Sequence, residues 1–327
     1  MTPGHDVVGR IIAIGSAVTE YHEGDRVAAM VRTGGNARYA SVPASALVRV
    51  PHSLDSAEAA CMVTVYSAAY QSLKMVSSKG PMFSLLGKKV LVIGGMDSIG
   101  QAIVQMCNKA RAEVYATAPK RRHGYIRTML GAVPLTEAPD EWLPLVEGQM
   151  DVVFDGNCDD GLQAATKAMR TGGELVCFGY SSMLKEEMGV FGAPMSAHLN
   201  RWRSHMAQAK CVDIYEFSRK DPETYKVRFC VIDVTFEYYQ NANRRDTLFS
   251  FVAPRFLQKH LYSLFQLLKW NKLRPHLAKR VALSDVAYAH SKLETGEVRG
   301  CVVCLPWKRV GQKHITKDNT TEEQREE

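Results

Sequence analysis

No stretch of this sequence is apolar for long enough to cross a bilayer as a helix, so no membrane partner is expected. The residues after Met1, TPGHDVVG, lack a basic start, a hydrophobic stretch and a small-residue cleavage site, and predict no secretory signal. Eight cysteines are scattered without the spacing of a disulfide framework, which fits a reducing, cytoplasmic setting. Nor is there a long basic stripe with interleaved aromatics. Lys120, Arg121 and Arg122 cluster, as do Arg201 and Arg203, but these are local, and nucleic acid is not an expected partner. The formal net charge of +7 is mild, and an anionic small molecule accounts for it equally well.

What is present is enough for two domains. The chain has 327 residues, of which 46% are hydrophobic, ample for a sizeable core. Residues 1–50 read as short strands and turns: DVVGRIIAIG from Asp6 to Gly15, GDRVAAMV from Gly24 to Val31, then ARYASVPASALVRV. The texture changes near Ser56, where SAEAACMVTVYSAAYQSLKMV is alanine-rich with helical spacing and Asp55 or Ser56 offers an N-cap. SSKGPMFSLLGKK is a turn-rich connection.

From Val90 the pattern alternates strand and helix. VLVI, EVYAT, DVVFD, ELVCFG and RFCVIDV read as strands, and the first is wholly apolar, as a buried parallel strand should be. Between the first two, Ile99, Ile103, Met106, Cys107 and Ala110 recur at steps of three and four and give one apolar helix face. GLQAATKAMR, RFLQKHLYSLFQLLKWNKL and LSDVAYAHSKLETG read as further helices, and GCVVCLP as a closing strand. Residues 181–225 fit no single element, and the polar residues after 310 read as a disordered tail. Strands alternating with helices predict an α/β fold with a doubly wound parallel sheet.

VLVIGGMDSIG, from Val90 to Gly100, carries the chemistry. A buried strand breaks into a turn with Gly94, Gly95 and Gly100 and restarts as a helix. Such a turn offers unpaired N–H groups and the positive end of a helix dipole to a pyrophosphate, while glycine permits close approach. It also serves as a plain tight turn. At the end of the second strand, where an NAD site carries an acid for the ribose, the sequence runs YATAPKRRH. Lys120, Arg121 and Arg122 there fit a 2′-phosphate and hence NADPH, or else begin a solvated helix.

Five stretches, taken in order, resemble the medium-chain dehydrogenase/reductase superfamily, in particular its zinc-independent quinone oxidoreductase-like branch. They are PGHDVVGRIIAIGSAVTEYHEGDRV, GGNARYASVPASALVRVPHSLDSAEAA, GKKVLVIGGMDSIGQAIVQMCNKARAEVYATA, MDVVFDGNCDDGLQAATKAMRTGGELVCFGY and LSDVAYAHSKLETGEVRGCVVCLP. The resemblance implies a partial GroES-like half-barrel catalytic domain over residues 1–75 and a Rossmann dinucleotide-binding domain over 76–282. Residues 283–310 would return to the catalytic domain, and 311–327 form the tail. It implies NADPH as cofactor, hydride transfer to a quinone, enone or related carbonyl acceptor, and a homodimer. Cofactor contacts fall on Gly94, Gly95, Ser98, Ile99, Gly100, Thr117, Lys120, Phe178 and Gly179, with Arg121 and Arg122 beside Lys120. Tyr66 and Ala68 would lie nearest the nicotinamide. Tyr66 is the candidate polar group near the acceptor, or else a core aromatic.

Three departures matter. His5 resembles a ligand of the zinc-dependent branch, but the following cysteine ligand falls on Thr64, a poor zinc donor beside thiolate or imidazole, so no metal is expected. Cys301 and Cys304 form a C-x-x-C, but on a strand they point to opposite faces. The family's first strands would precede residue 3, so the chain reads as truncated, and unpaired strand edges would result. Finally, Asp97 and Ser98 stand where the family carries glycine. Asp97 suits an N-cap and would compete for the donors a phosphate needs, or else it points to solvent. These departures leave a second expectation open: a relative with weak or absent catalysis that acts as a scaffold or sensor.

Overall fold

The computed structural model describes residues 2–31, 33–76, 85–157, 162–178, 226–229, 252–295 and 297–307. The segment 181–225, the polar tail and Gly179 lie outside them. Near the N-terminus, β1 (Asp6–Arg10), β2 (Arg26–Met30) and β3 (Val48–Arg49) form an antiparallel sheet in that order. The first strand ends sooner than the sequence suggests, since Ile12 and Ile14 are exposed past its end. The third shrinks to two residues because Pro43 leads into a 3-10 turn at Ala44–Ala46.

The alanine-rich stretch is helical throughout, with one irregularity. Asp55 caps α1 (Ser56–Cys61) by accepting from the Ala57 and Glu58 amides. The chain then loosens into a π-helical turn at Met62–Tyr66 and tightens again as α2 (Ser67–Met75). Such widened turns frequently mark functional sites.

The large sheet is parallel throughout. Its strands are β4 (Lys89–Ile93), β5 (Glu113–Thr117), β6 (Val133–Leu135), β7 (Met150–Asp155), β8 (Met169–Cys177) and β9 (Lys226–Phe229). Their spatial order is β6-β5-β4-β7-β8-β9. In sheet-internal terms this is 3-2-1-4-5-6, the order of the dinucleotide-binding double winding, with its reversal between β4 and β7. Alternation along the strands explains why both faces are covered. Val90, Val92, Val114, Ala116, Val152, Phe154 and Val176 face one core together with α3 (Ser98–Lys109). Leu91, Ile93, Val153, Leu175 and Cys177 face the other, with α5 (Pro139–Val146) and α6 (Gln163–Ala168). Met169 starts β8 rather than ending the preceding helix. β6, α5 and the short α4 (His123–Thr128) carry too few residues to announce a period of their own.

The C-terminal part comes back to the N-terminal part. In α7 (Val252–Lys269), Leu261, Leu264, Phe265 and Leu268 are buried, and the helix packs on α2 and the π-helical turn. β10 (Leu277–Ala282) pairs in parallel with β11 (Cys301–Leu305), with α8 (Val286–Glu294) between them. Both strands contact α1. β10 has its hydrogen-bonding partner in β11 and not in the large sheet.

Candidate functional site

The candidate site is the glycine turn at the end of β4, and each glycine in it has a physical cause. Gly94 sits at φ +81°, the left-handed region, and its amide donates to Thr117 Oγ1 at 2.9 Å. The Gly95 amide donates to the Thr117 carbonyl, and a Cβ on Gly95 would lie 2.8 Å from that of Ala116. A Cβ on Gly100 would lie 2.1 Å from the Gly94 carbonyl oxygen. The turn is thus sewn to the end of β5 through Thr117, and α3 is seated directly on the turn.

Asp97 takes the N-cap position of α3 with extended backbone, yet its side chain makes no capping hydrogen bond. Instead its Oδ1 lies 3.9 Å from the Arg299 guanidinium, which is also 3.4 Å from Glu137. The expected competition for the first-turn N–H groups of Ser98, Ile99 and Gly100 therefore does not arise through capping. Asp97 still leans over the turn: its Oδ2 lies 3.3 Å from where a Gly94 Cβ would be. Across the reversal point, Gly156 follows β7 and its amide donates to the Ile93 carbonyl. The Asn157 amide is held by Asp155 Oδ1 in an Asx turn, and Asn157 Oδ1 comes within 3.1 Å of the same Gly94 Cβ position. Phe178 is buried against Gly156, and its amide donates to the Asp155 carbonyl.

The three basic residues after β5 form a short exposed 3-10 turn that runs into α4. Lys120 pairs with Glu141 at 3.2 Å. Arg122 lies near a dyad in which the Tyr125 hydroxyl is 2.9 Å from His276 Nδ1 and donates to Gln101. Burial, with Arg122 adding to it, lowers the His276 pKa. Tyr66 is 2% exposed, and its hydroxyl donates to Gln105 Oε1 at 3.1 Å. Burial pushes its pKa up. Gln105 also accepts from the Arg274 amide and donates to its carbonyl, so Tyr66 closes a structural clamp. Ala68, beside it on α2, is fully buried.

Between β1 and the π-helical turn lies a polar cluster. Thr64, on the π-helical turn, donates to Asp6 Oδ1 at 2.5 Å. Burial raises the Asp6 carboxyl to about 6, despite the opposing Thr64 hydrogen bond and His5 charge. His5 Nδ1 lies 3.3 Å from the Val31 carbonyl. Asp6, Asn157 and Arg299 were not expected site residues. Asn157 had a sequence signal, since it follows the fourth strand at the point of reversal. Arg299 and Asp6 had none.

A glycine-seated helix at the reversal point of a 3-2-1-4-5-6 parallel sheet, joined to a small antiparallel sheet that the C-terminus revisits, defines the medium-chain dehydrogenase/reductase class. Residues 130–304 match the profile of the zinc-binding dehydrogenases and residues 1–52 that of the alcohol dehydrogenase GroES-like domain. The chain belongs to the zinc-binding dehydrogenase family. It is 31% identical over 187 residues to the chloroplastic NADPH-dependent alkenal/one oxidoreductase of Arabidopsis thaliana, a match covering 53% of this chain and 46% of that protein. It is 23% identical over 256 residues to a quinone oxidoreductase-like protein 2 homolog of Nematostella vectensis, covering 73% and 63%. The Pseudomonas syringae quinone oxidoreductase structure superposes with a TM-score of 0.65 at 20% identity, covering 93% of this chain and 82% of that one. A mycobacterial structure complexed with NADPH gives 0.64 at 22%, again covering 93% and 82%. These structures share the fold. The chain spans about half the length of the first curated relatives it matches.

Proposed function

We propose that this chain is an NADPH-dependent, zinc-independent oxidoreductase that delivers hydride to a quinone, an enone or a related carbonyl acceptor. The glycine turn carries the reading. Its close contacts leave room only for glycine, and the first-turn amides of α3 receive no side-chain cap from Asp97. Residues of this type suit a pyrophosphate, so Gly94, Gly95, Ser98, Ile99 and Gly100 would hold one, with Thr117 and Phe178 shaping the walls. Lys120, Arg121 and Arg122 would hold the 2′-phosphate, Lys120 by exchanging its Glu141 partner. The bound nicotinamide supplies the hydride, and the protein orients it. A quinone takes its proton from water, so no catalytic acid is required. The name of the Arabidopsis relative agrees with this cofactor. Zinc independence is supported by Thr64, whose hydroxyl is engaged by Asp6 at the position where the zinc branch has a cysteine. The reading carries with it a small-molecule acceptor, a cytoplasmic location and a homodimer. No helix among the described residues is long and apolar enough to cross a membrane.

A second reading, a scaffold or sensor with weak nucleotide binding, is favoured by one observation: the Asp97 carboxylate leans over the turn where the phosphate belongs. Calorimetric titration with NADPH and NADH, on the native chain and on Asp97→Gly, separates the two. Micromolar NADPH binding by the native chain, with NADH much weaker, is expected. Binding seen only in Asp97→Gly overturns the enzyme reading in favour of the scaffold.

A further inference from the structure

One hydroxyl ties together three segments around the glycine turn. Tyr125 stands on α4, the short helix into which the basic turn Lys120–Arg122 runs. Its hydroxyl is 3.1 Å from Gln101 Oε1 on α3 and 2.9 Å from Nδ1 of His276, the residue before β10. Proton counting fixes how the three are joined. Gln101 is buried, and its amide nitrogen donates to the Met96 carbonyl inside the glycine turn, so it presents an oxygen to Tyr125. Tyr125 has one proton and donates it there. Its oxygen then accepts, and His276 donates from Nδ1. His276 is itself firmly held. Its carbonyl accepts from the Cys301 amide at 2.8 Å, its ring meets that of Tyr125 edge-on with centroids 5.3 Å apart, and a Cβ on Gly300 would stand 2.2 Å from its Cδ2. α4 depends on this anchorage. It has six residues, receives no side-chain N-cap, and buries Ile126 alone. The basic turn ahead of it buries no residue, and His123 reaches back only to the Ala118 carbonyl. An apolar anchor holds a helix close but without direction, whereas a hydrogen-bonded one also fixes its angle.

We propose that Tyr125 is the positioning residue of the 2′-phosphate subsite: its hydroxyl, held between Gln101 and His276, sets the angle at which α4 presents Lys120, Arg121 and Arg122 to the nucleotide. The inference rests on the proposed cofactor reading and adds to it a residue that touches no ligand. Exposed lysine and arginine side chains follow any nearby anion, so their charge alone gives affinity with little register. Telling NADPH from NADH requires the basic turn to stand at a fixed place relative to the amides that hold the pyrophosphate. The hydrogen bonds from Tyr125 to Gln101 and from Gln101 to Met96 make that link, running from α4 to the glycine turn. His276 restrains the same oxygen from the opposite side, out of the C-terminal return. Arg122 is three residues before Tyr125, the spacing that puts two side chains on one helix face, so the angle set at Tyr125 is passed on to the turn.

Calorimetric titration of the full chain with NADPH and with NADH, alongside thermal unfolding, tests the assignment. Tyr125→Phe keeps the ring and removes the hydroxyl. NADPH binding should weaken about tenfold while NADH binding stays within about twofold, so the preference collapses. His276→Leu, which removes the donor, should reproduce Tyr125→Phe. His276→Asn should keep the native preference, because its amide nitrogen stands as many bonds from Cα as Nδ1 does and donates to the same oxygen. An unchanged ratio of NADPH to NADH affinity in Tyr125→Phe overturns the proposal. So does an equal loss of both affinities, the mark of a merely structural tyrosine. A preference lost alike in His276→Leu and His276→Asn shows that the imidazole ring matters and the donor does not, and overturns it as well. A native chain that binds NADPH no better than NADH removes the 2′-phosphate reading itself, and this proposal with it; a native preference that survives Tyr125→Phe removes the proposal alone.

Discussion

Seating α3 on the glycine turn is the feature most open to a sharp test, because a single methyl group should unseat it. In Gly100→Ala the new Cβ would stand 2.1 Å from the Gly94 carbonyl oxygen, 2.9 Å from the Gly94 carbonyl carbon and 3.2 Å from Gly95 Cα. Real Cβ atoms essentially never come closer than 3.0 Å to a neighbour, so a gap of about 0.9 Å has to open. All three obstructing atoms are backbone, so no side chain can swing aside. The helix must move off the strand. Overpacking of this kind costs about 1–3 kcal/mol, and with backbone on both sides the upper part of that range applies. Tm should fall by roughly 5 °C. Displacing the first-turn amides should also weaken NADPH binding by about tenfold or more. The control is the same chemical change where space is open. Gly124 lies exposed in α4 with no atom within 4 Å of a Cβ position, and Gly124→Ala should stabilise by about 0.5 kcal/mol through helix propensity. Thermal unfolding and NADPH titration of both variants read out the pair. If Gly100→Ala tracks Gly124→Ala in both assays, α3 does not rest on Gly94 and the assignment of the turn fails.

The other predictions concern the charges and polar groups around the turn. Arg299→Ala should weaken NADPH binding by about tenfold, since it leaves Asp97 and Glu137 without the cation between them; restoration in the double variant with Asp97→Gly is expected, and an affinity unmoved by Arg299→Ala refutes the compensation. Asp6, raised from 3.8 to about 6, binds more protons folded than unfolded. Its contribution to stability therefore declines as pH rises from about 4 to about 6, and the difference in unfolding free energy between the native chain and Asp6→Asn should vary in that window and be flat above it. A difference independent of pH across the window rejects the shift. Tyr66→Phe removes the bond to Gln105 and should cost about 1 kcal/mol while leaving turnover of a quinone unchanged. A loss of kcat at constant stability would return Tyr66 to the acceptor site.

The Rossmann half of the fold was legible because its signals are local. VLVI and EVYAT are short β-branched runs between turn residues, and of the face built from Ile99, Ile103, Met106, Cys107 and Ala110 all but the half-buried Ile99 are buried, as the spacing implies. The small sheet was read less well. β3 retains only two residues of a fourteen-residue strand-like stretch, since Pro43 turns the chain and what remains pairs only with β2. β10 was missed altogether. LAKRVA has no clean alternation, and its partner, β11, lies beyond a whole helix. The π-helical turn at Met62–Tyr66 was equally invisible, because a widened turn has the same composition as the α-helix that flanks it on both sides.

Asp97 shows how far local reading reaches into the site. From sequence, an aspartate before a helix is an N-cap, and the backbone agrees: φ −72° and ψ 157° are the extended angles that a capping residue adopts. Its charged neighbour is not local. Arg299 comes from the strand-return segment and lies 3.9 Å from Asp97 and 3.4 Å from Glu137. The pair is partly exposed, with the Asp97 side chain 44% accessible, so the attraction is modest and reversible. On the proposed cofactor reading this suits the loop, since a tight Asp97 cap would have to be broken before an anion could be held. Arg299 thus reaches the glycine turn from the C-terminal side, a position that only the fold supplies.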